Sequence, residues 1–125
     1  MYFHVMIGAN DLEASKTFYD ATFGALGIAG KGKFRDKPAA YMYGEPTTGL
    51  FFVTEPVDGA PATHANGGTI MFQAPSKDAI DAWYAAGIAN GGSAEDAPAP
   101  APLPGATIAR LRDPTGNKIG VITFA

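Results

Sequence analysis

The chain repeats itself at an offset of 65 residues, and this repeat constrains the fold more than any other feature of the sequence. Residues 4–9 (His-Val-Met-Ile-Gly-Ala) align with residues 69–74 (Thr-Ile-Met-Phe-Gln-Ala). The same register continues without a gap through Asp11/Ser76, Ala14/Ala79, Phe18/Trp83, Tyr19/Tyr84, Ala21/Ala86 and Gly27/Gly92. Two copies of one strand–helix unit predict a pseudo-symmetric domain in which equivalent side chains converge on a shared cleft.

The bulk composition indicates a single soluble domain and excludes several classes of partner. The 125 residues are 46% hydrophobic and 17% charged, enough to bury one core. The net charge is −3 and the nine Lys and Arg residues form no basic stripe, so we expect no nucleic-acid partner. No apolar run reaches the roughly 18–20 residues that span a bilayer, and the N-terminus lacks a cationic region and a cleavage motif, so we expect no membrane partner. With no cysteine, disulfides and thiolate chemistry are excluded, and we expect a cytoplasmic protein.

The first unit predicts the order βαβββ over residues 1–55. Residues 2–7 have strand composition, and Asp11 can cap a helix that continues to about residue 23, where Gly24 and Gly27 end it. We expect Ala14, Phe18, Ala21 and Thr22 to share one helix face. Three strands are predicted at about 28–34, 39–43 and 50–54, and residues 56–66 are expected to link the two units.

The second unit, about residues 67–125, predicts the same order. A strand is expected at 68–74, and Ser76 caps a helix that buries Ala79, Ile80, Trp83 and Ile88 before Gly91 and Gly92. Further strands are expected at 93–96, 107–112 and 118–124, with the proline-rich residues 97–104 as a loop and residues 113–117 as a tight turn. Two tandem βαβββ modules define an α+β fold, in which each helix packs on one face of a mostly antiparallel sheet.

Strand alternation predicts which side chains face the cleft. If Phe3, Val5 and Ile7 pack on the helix, then residues at even positions of that strand face away from it, unless a bulge inverts part of the pattern. In the second unit, Ile70, Phe72, Ile119 and Val121 are expected in the core. The predicted cleft positions are Tyr2, His4, Met6, Thr69, Met71, Gln73, Gly120, Ile122 and Phe124.

Several local motifs resemble the vicinal oxygen chelate superfamily, which includes glyoxalase I, bleomycin- and fosfomycin-resistance proteins and extradiol dioxygenases. The motifs are the Phe3-His4-Val5 strand, Asp11-Leu12 and Phe18-Tyr19 on the first helix, and the turn Asp113-Pro114-Thr115-Gly116-Asn117. The DPxGN turn is the most specific of them, and the resemblance covers nearly the whole chain. It implies paired βαβββ modules around a cleft and, in many members, a divalent metal ion.

The ligand positions that the resemblance implies are mostly lost in this chain. Metal-using members place a His on the first strand of each module and commonly a carboxylate on the last. His4 matches the first position, whereas Thr69 stands at the second and Gly120 replaces the carboxylate. The first-module strand at residues 50–53 has no acid at all. One imidazole does not bind zinc, iron or manganese tightly, so we predict no metal and no other cofactor.

Two further residues could contribute to a rearranged metal site. His64 lies five residues before Thr69, in a connector rich in Pro and Gly, where an exposed loop histidine without a role is the more common outcome. Glu55 follows the fourth strand and would reach the site only after a register slip. We therefore assign neither residue as a ligand.

The rest of the predicted cleft is aromatic and methionine-rich, which is typical of a small-molecule pocket. His4 either binds or protonates a ligand, as its unperturbed pKa near 6.5 permits, or remains as a hydrogen-bonding side chain without catalysis. Arg110 and Arg112 share one strand face and could bind a carboxylate or phosphate if that face is the cleft, or lie at the surface beside an acid. The added cleft candidates are Tyr41, Tyr43, Phe52 and Arg110.

Three functions remain compatible with these residues. The first is a metal-free protein that sequesters a planar or aromatic small molecule, as the bleomycin-resistance branch does. The second is a metal-dependent lyase, isomerase or dioxygenase with a rearranged metal site, and the third is a dimerisation or regulatory domain. The resemblance also implies a homodimer, although the two modules could close the cleft within one chain.

Overall fold

A computed structural model describes all 125 residues and contains the two predicted modules. The first module comprises β1 (His4–Gly8), α1 (Leu12–Ala25), β2 (Gly30–Asp36), β3 (Ala39–Glu45) and β4 (Gly49–Thr54). The second comprises β5 (Ile70–Gln73), α2 (Lys77–Ala89), β6 (Ser93–Pro100), β7 (Thr107–Arg112) and β8 (Lys118–Thr123). The predicted α+β class and the tandem βαβββ order are confirmed. Neither helix has the length and apolar character needed to cross a membrane.

Each module forms its own four-stranded sheet. The strand orders are β1-β4-β3-β2 and β5-β8-β7-β6, so the two sheets have the same topology. In each sheet the first strand pairs parallel to the last, and the other pairs are antiparallel. The edges of β1 and β5 remain unpaired, because the sheets are not hydrogen-bonded to each other.

Both helices begin at the residues that the sequence predicts. A carboxylate oxygen of Asp11 accepts from the backbone N of Ala14 at 3.0 Å, and the Ser76 hydroxyl accepts from that of Ala79 at 3.1 Å. These side chains satisfy amides that have no partner within the first helical turn. Helix α1 continues through Gly24 to Ala25, two residues further than expected.

The two modules share one hydrophobic core, which lies between the sheets. Helices α1 and α2 pack on each other, and the Phe23 ring lies 5.3 Å from the Phe51 ring of its own module and 5.0 Å from the Phe72 ring of the other. At Gly87 of α2, a Cβ atom would overlap the Leu111 side chain and approach the Phe18 ring to 3.2 Å. The missing side chain therefore permits the close packing of helix α2 on α1 and β7.

Several predicted boundaries and faces are wrong, each for a local reason. Strand β1 begins only at His4, so Phe3 is 63% exposed instead of buried, and Tyr2 also lies outside the strand. Thr69 precedes β5, and Phe124 follows β8. The expected α1 face is shifted, because its buried residues are Leu12, Ser15, Phe18, Tyr19, Thr22 and Phe23, while Ala14 and Ala21 are only partly buried.

The second module carries two more corrections. Ile88 is 44% exposed, because the buried face of α2 uses Ile80, Trp83 and Gly87. Residues 97–100 belong to β6 instead of forming a loop. An outer strand tolerates proline because the missing N–H can lie on its solvent side.

Candidate functional site

The most specific sequence motif, the turn at residues 113–117, is a buried structural network. The Asp113 carboxylate accepts from the Tyr19 hydroxyl at 2.6 Å, from the Asn117 side-chain amide at 2.9 Å, and from the backbone N–H groups of Thr115, Gly116 and Asn117. The Asn117 amide also donates to the Gly8 carbonyl at 3.0 Å. The network therefore ties the second module to α1 and β1 of the first. Burial, followed by the charge and hydrogen bond of Asp113, raises the pKa of Tyr19 well above its usual value.

His4 lies exposed at the free edge of the first sheet, with aromatic neighbours and no polar partner. Its ring centroid is 5.2 Å from that of Phe52 and 6.0 Å from that of Phe3, both edge-to-face. Neither ring nitrogen is hydrogen-bonded within the chain. No carboxylate fixes the tautomer or stabilises the imidazolium, as it would in a general acid/base pair. His4 can therefore donate to or accept from a ligand.

The carboxylate position that the resemblance implies is closed by packing. Gly120 pairs with Met71 across β5 and β8, and a Cβ at Gly120 would lie 2.5 Å from the Met71 sulfur and 2.8 Å from the Ala109 carbonyl oxygen. The sulfur belongs to a flexible side chain, but the carbonyl belongs to the neighbouring strand. An acid at position 120 would therefore require β7 and β8 to move apart.

The residues at these positions do not fit the divalent ion that the family resemblance implies. No group of three His, Asp or Glu side chains comes together anywhere in the structure. At the positions that the resemblance implies for ligands, only His4 carries an imidazole, Thr69 offers a hydroxyl, and Gly120, which pairs with Met71, offers no side chain. Zinc and non-haem iron prefer several imidazoles and carboxylates, and a thioether is a soft ligand.

A cleft of about 960 Å³ lies between the edges of β1 and β5. Thirteen of its twenty lining residues are hydrophobic, and both modules contribute. It brings together five of the predicted cleft residues, Tyr2, His4, Tyr43, Met71 and Gln73. We call this space the inter-edge cleft. Thr69, Met6, Phe52, Arg110, Gly120 and Ile122 do not line it.

Tyr41 lies on the opposite side of the sheet from the face predicted for it. Its side chain packs with the core, and its hydroxyl donates to Glu13 of α1 at 2.7 Å. The side chain of Tyr43 also faces the helices, where its hydroxyl donates to Asp20 at 2.7 Å, although part of it is reached from the inter-edge cleft. Residues at odd positions of β3 face the helices, so Tyr41 does not line the inter-edge cleft, whereas Tyr43 lines it in part from the side of the helices.

The hydroxyls of Tyr41 and Tyr43 are held as proton donors. The hydrogen bond to Glu13 raises the pKa of Tyr41, and burial together with the bond to Asp20 raises the pKa of Tyr43. Lys16 lies 2.7 Å from Asp20 and its ammonium nitrogen is 5.3 Å from the centre of the Tyr41 ring. The hydrogen bond to Asp20 raises the pKa of Lys16. This polar cluster joins α1 to β3.

The side of the first sheet that faces away from the helices, which we call the first open face, carries two residues that the sequence analysis missed. The Phe34 ring lies 4.6 Å from the Phe52 ring, and Arg35 donates from Nη2 to the Thr54 hydroxyl at 2.7 Å. A strand that alternated strictly would put only one of these adjacent residues on this face. A register shift lies between Lys33 and Arg35. Gly32, at φ 77°, lies in the preceding register shift, between Gly30 and Lys33, and therefore marks β2 as irregular without marking the shift at Phe34 and Arg35.

The side of the second sheet that faces away from the helices, which we call the second open face, carries the two other arginines, Arg110 and Arg112. Arg110 pairs with Gly120 in register, and Ala109 and Leu111 lie in the core. Arg110 bonds to Asp96 at 2.8 Å, and Arg112 lies 3.4 Å from Glu95. Both cations are therefore balanced by acids of β6. Ile122 shares this face.

The two residues considered for a rearranged metal site, His64 and Glu55, do not line the inter-edge cleft. His64 lies against the 113–117 turn, where a Cβ at Gly116 would come within 2.6 Å of its Nδ1. Glu55 accepts from the backbone N of Ala39 at 3.0 Å and is exposed.

Comparisons of the sequence and the structure with known proteins identify the family to which the chain belongs. The model of the Glyoxalase/Bleomycin resistance protein/Dioxygenase superfamily matches residues 2–121, and the chain belongs to this family. The predicted superfamily is thus confirmed. No protein with a curated description matches the sequence.

Solved structures of the same family resemble the chain over nearly its full length. A glyoxalase/bleomycin resistance protein from Albidiferax ferrireducens T118 is 48% identical, with a TM-score of 0.87, 98% of this chain covered and 97% of that one. A glyoxalase/bleomycin resistance protein/dioxygenase family enzyme from Burkholderia phytofirmans PsJN is 18% identical, with a TM-score of 0.73 and 98% of both chains covered. Glyoxalase I from Zea mays is 23% identical, with a TM-score of 0.75. The alignment covers 98% of this chain and 45% of the maize protein. The last two similarities concern the fold alone.

Proposed function

We propose that the protein binds and sequesters a small molecule without a metal ion. The observation that supports this function best is the inter-edge cleft, which is largely hydrophobic and contains His4. Gly120, which stands at the position implied for an acidic metal ligand, lies outside this cleft and is closed by Met71. The cleft's volume of about 960 Å³ suits a drug-sized ligand, because such pockets usually measure about 300–1,000 Å³.

The chemistry of the cleft favours an apolar ligand with few polar groups. Met71 supplies an adaptable surface, since a thioether side chain fills irregular gaps and contacts aromatic rings favourably. His4 and Gln73 supply the polar contacts that would orient the ligand. His4 acts in this proposal as a binding residue, and catalysis by it is the alternative.

We also propose that two copies of the chain form a homodimer through β1 and β5. Each is an unpaired edge strand, and strand edges of this kind favour pairing with another chain. Because the repeat makes the modules equivalent, pairing β1 of one copy with β5 of the other would close both edges by the same contact. The side chains of Met1, Tyr2 and Met6 beside β1 are exposed and apolar, as an interface requires.

Elemental analysis of protein purified without chelators tests the metal-free proposal. We expect less than one equivalent in ten of zinc, iron, manganese or nickel per chain. Stoichiometric metal that persists through dialysis would contradict the proposal and favour the lyase, isomerase or dioxygenase alternative.

A thermal-shift screen with aromatic antibiotics and aromatic hydroxy acids tests ligand binding. We expect at least one compound to raise the melting temperature of the wild type, and His4→Ala to reduce that rise. His64→Ala is the matched control, because it removes the other imidazole of the chain outside the cleft. The binding proposal fails if no compound shifts the wild type, and conversion of a bound compound would favour an enzyme.

Light scattering coupled to gel filtration tests the dimer. We expect twice the mass of the 12.9 kDa chain at micromolar concentration. A charge at the edge, in Met6→Lys, should shift the protein towards monomer. A wild-type monomer at that concentration would rule the dimer out without touching the binding proposal.

A further inference from the structure

Arg35 differs from the other arginines of the chain because it has no acidic partner. Of the nine Lys and Arg side chains, five pair with a carboxylate, including both arginines of the second open face. Arg35 donates only to neutral acceptors, from Nε to the Pro38 carbonyl at 2.8 Å and from Nη2 to the Thr54 hydroxyl at 2.7 Å. Its positive charge is thus uncompensated on a partly buried side chain.

The two hydrogen bonds hold the guanidinium in place and leave most of its donors free. An arginine has five N–H donors, and these bonds use two of them. Both N–H groups of Nη1 and one of Nη2 remain available, which is the fork that binds a carboxylate or phosphate through two parallel bonds. Thr54 is buried at 6% exposure, so the anchor of the guanidinium is itself fixed in the sheet.

The local irregularity of β2 puts an aromatic ring beside this cation. Lys33 pairs with Tyr41 and Arg35 pairs with Ala40, so Phe34 and Arg35 together oppose Ala40. This is a bulge, a feature that often redirects a side chain next to a functional site. Both residues contact the first open face, Phe34 through Phe52 and Arg35 through Thr54.

The aromatic side chains continue from this point to the edge of the sheet. The Phe52 ring lies 4.6 Å from that of Phe34 and 5.2 Å from that of His4. Phe52 and Thr54 are two residues apart on β4, a step of about 7 Å. A ligand ring on Phe34, which is 51% exposed and packs on the buried Phe52, could therefore place a charged substituent at Arg35.

From this arrangement we infer that the first open face binds an aromatic anion. Arg35 binds the anionic group, and the exposed Phe34 ring, which packs on the buried Phe52, contacts the ring of the ligand. The inference goes beyond the proposed function, because Phe34, Arg35 and Phe52 do not line the inter-edge cleft. It gives the first open face a ligand class of its own, an aromatic carboxylate or phosphate. Arg35 is then a specificity-determining residue, because a neutral ligand of the same shape lacks the partner that the guanidinium requires.

Titration calorimetry with benzoate, phenyl phosphate and the neutral benzamide tests this inference on the full chain. We expect one of the two anions to bind about ten- to a hundredfold more tightly than benzamide, the range expected for charge-assisted hydrogen bonds. The more tightly bound anion identifies the preferred group. Inorganic phosphate alone should bind more weakly than either, because it lacks the ring.

Three variants locate the effect. Arg35→Gln should reduce anion affinity to that of benzamide, and Arg35→Lys, which keeps the charge but not the fork, should lie between. Lys33→Gln on the same strand removes the same charge and should leave the preference unchanged, since Lys33 already lies 3.8 Å from Asp36. Circular dichroism of each variant shows that it remains folded.

The outcomes separate this inference from the proposed function. If benzamide binds as well as the anions, or if Arg35→Gln keeps the anion preference, the role of Arg35 is refuted while small-molecule binding stands. If neither these probes nor any screened compound binds the wild type, both fail.

Discussion

The two open faces have the same strand topology, but they differ in whether their arginines are paired with acids. The first carries Phe34, Phe52 and an arginine without an acidic partner, whereas the second carries two arginines that Asp96 and Glu95 neutralise. At the position next to the edge strand, Phe52 on β4 pairs with Met6, and its counterpart Gly120 on β8 pairs with Met71. The repeat has therefore kept the backbone and changed the chemistry, because the first open face leaves its arginine without an acid and the second pairs both of its arginines with acids of β6.

The largest expected effect contrasts the turns between the last two strands of each module. Asp113→Ala should lower the free energy of unfolding by about 3–5 kcal/mol, because it leaves the buried Tyr19 hydroxyl and several amides without an acceptor. Thr48→Ala in the exposed counterpart turn of the first module should cost less than about 0.5 kcal/mol. Urea unfolding measures both. Equal losses would show that the turns are equivalent after all.

The next contrast concerns Gly120. Gly120→Ala should destabilise by about 1–3 kcal/mol, because the added Cβ meets both the Met71 sulfur and the Ala109 carbonyl. In the double variant with Met71→Ala, the loss should exceed that of Met71→Ala alone, since the carbonyl remains. Urea unfolding of the two single variants and the double variant checks this. If Gly120→Ala is neutral, the closure of the acidic position is not steric.

Tyr19 and Tyr84 occupy equivalent positions of the repeat but should contribute differently to the pH dependence of the free energy of unfolding in alkaline solution. The pKa of Tyr19 is raised in the folded state, so above about pH 10 the unfolded chain loses that proton first and stability falls as pH rises. Tyr19→Phe should remove up to about 1.4 kcal/mol per pH unit from this slope. Tyr84→Phe, whose hydroxyl makes no hydrogen bond, is the control. Unfolding free energies between pH 9 and 11.5 test it, and identical slopes in the two variants would overturn the assignment.

The smallest expected effect on stability comes from Asp96→Asn, which should leave Arg110 on the second open face without an acidic partner, as Arg35 is on the first. Asp96→Asn should change stability by less than about 1 kcal/mol, because both members of its pair with Arg110 are partly exposed. It should nevertheless strengthen binding of benzoate by freeing the Arg110 guanidinium. Urea unfolding and calorimetry measure the two effects. Unchanged benzoate affinity would show that an unpaired arginine is insufficient without the adjacent rings.

The sequence was sufficient for the fold because its signals were local and repeated. Asp11 and Ser76 satisfy the amides at two equivalent helix starts, and the alternation of Ile119 and Val121 with Gly120 correctly separates the core from the open face. These patterns depend on hydrogen bonds and burial within a few residues. They also identified the inter-edge cleft in part, through Tyr2, His4 and Met71.

The candidate site was less predictable because it depends on register and on partners distant in the chain. Phe34 and Arg35 share a face only because of a bulge between Lys33 and Arg35, whereas Gly32 lies in the preceding register shift and does not signal it. Tyr41 was misplaced because its hydroxyl finds Glu13 on the helix side, an interaction across 28 positions of sequence. The pairing of Arg110 with Asp96 likewise required knowledge of which acids β6 turns towards β7.

The prolines of β6 have a consequence for how copies of this protein can associate. Pro98 and Pro100 lie on the outer strand of the second sheet and have no N–H to offer an incoming strand. The matching outer strand β2 carries Lys31 and Lys33, whose charged side chains disfavour the addition of another strand, although each lies within reach of an acid of its own module. Sheet extension is thus discouraged at both outer strands, so the unpaired edges at which a further strand would add most readily are those of β1 and β5.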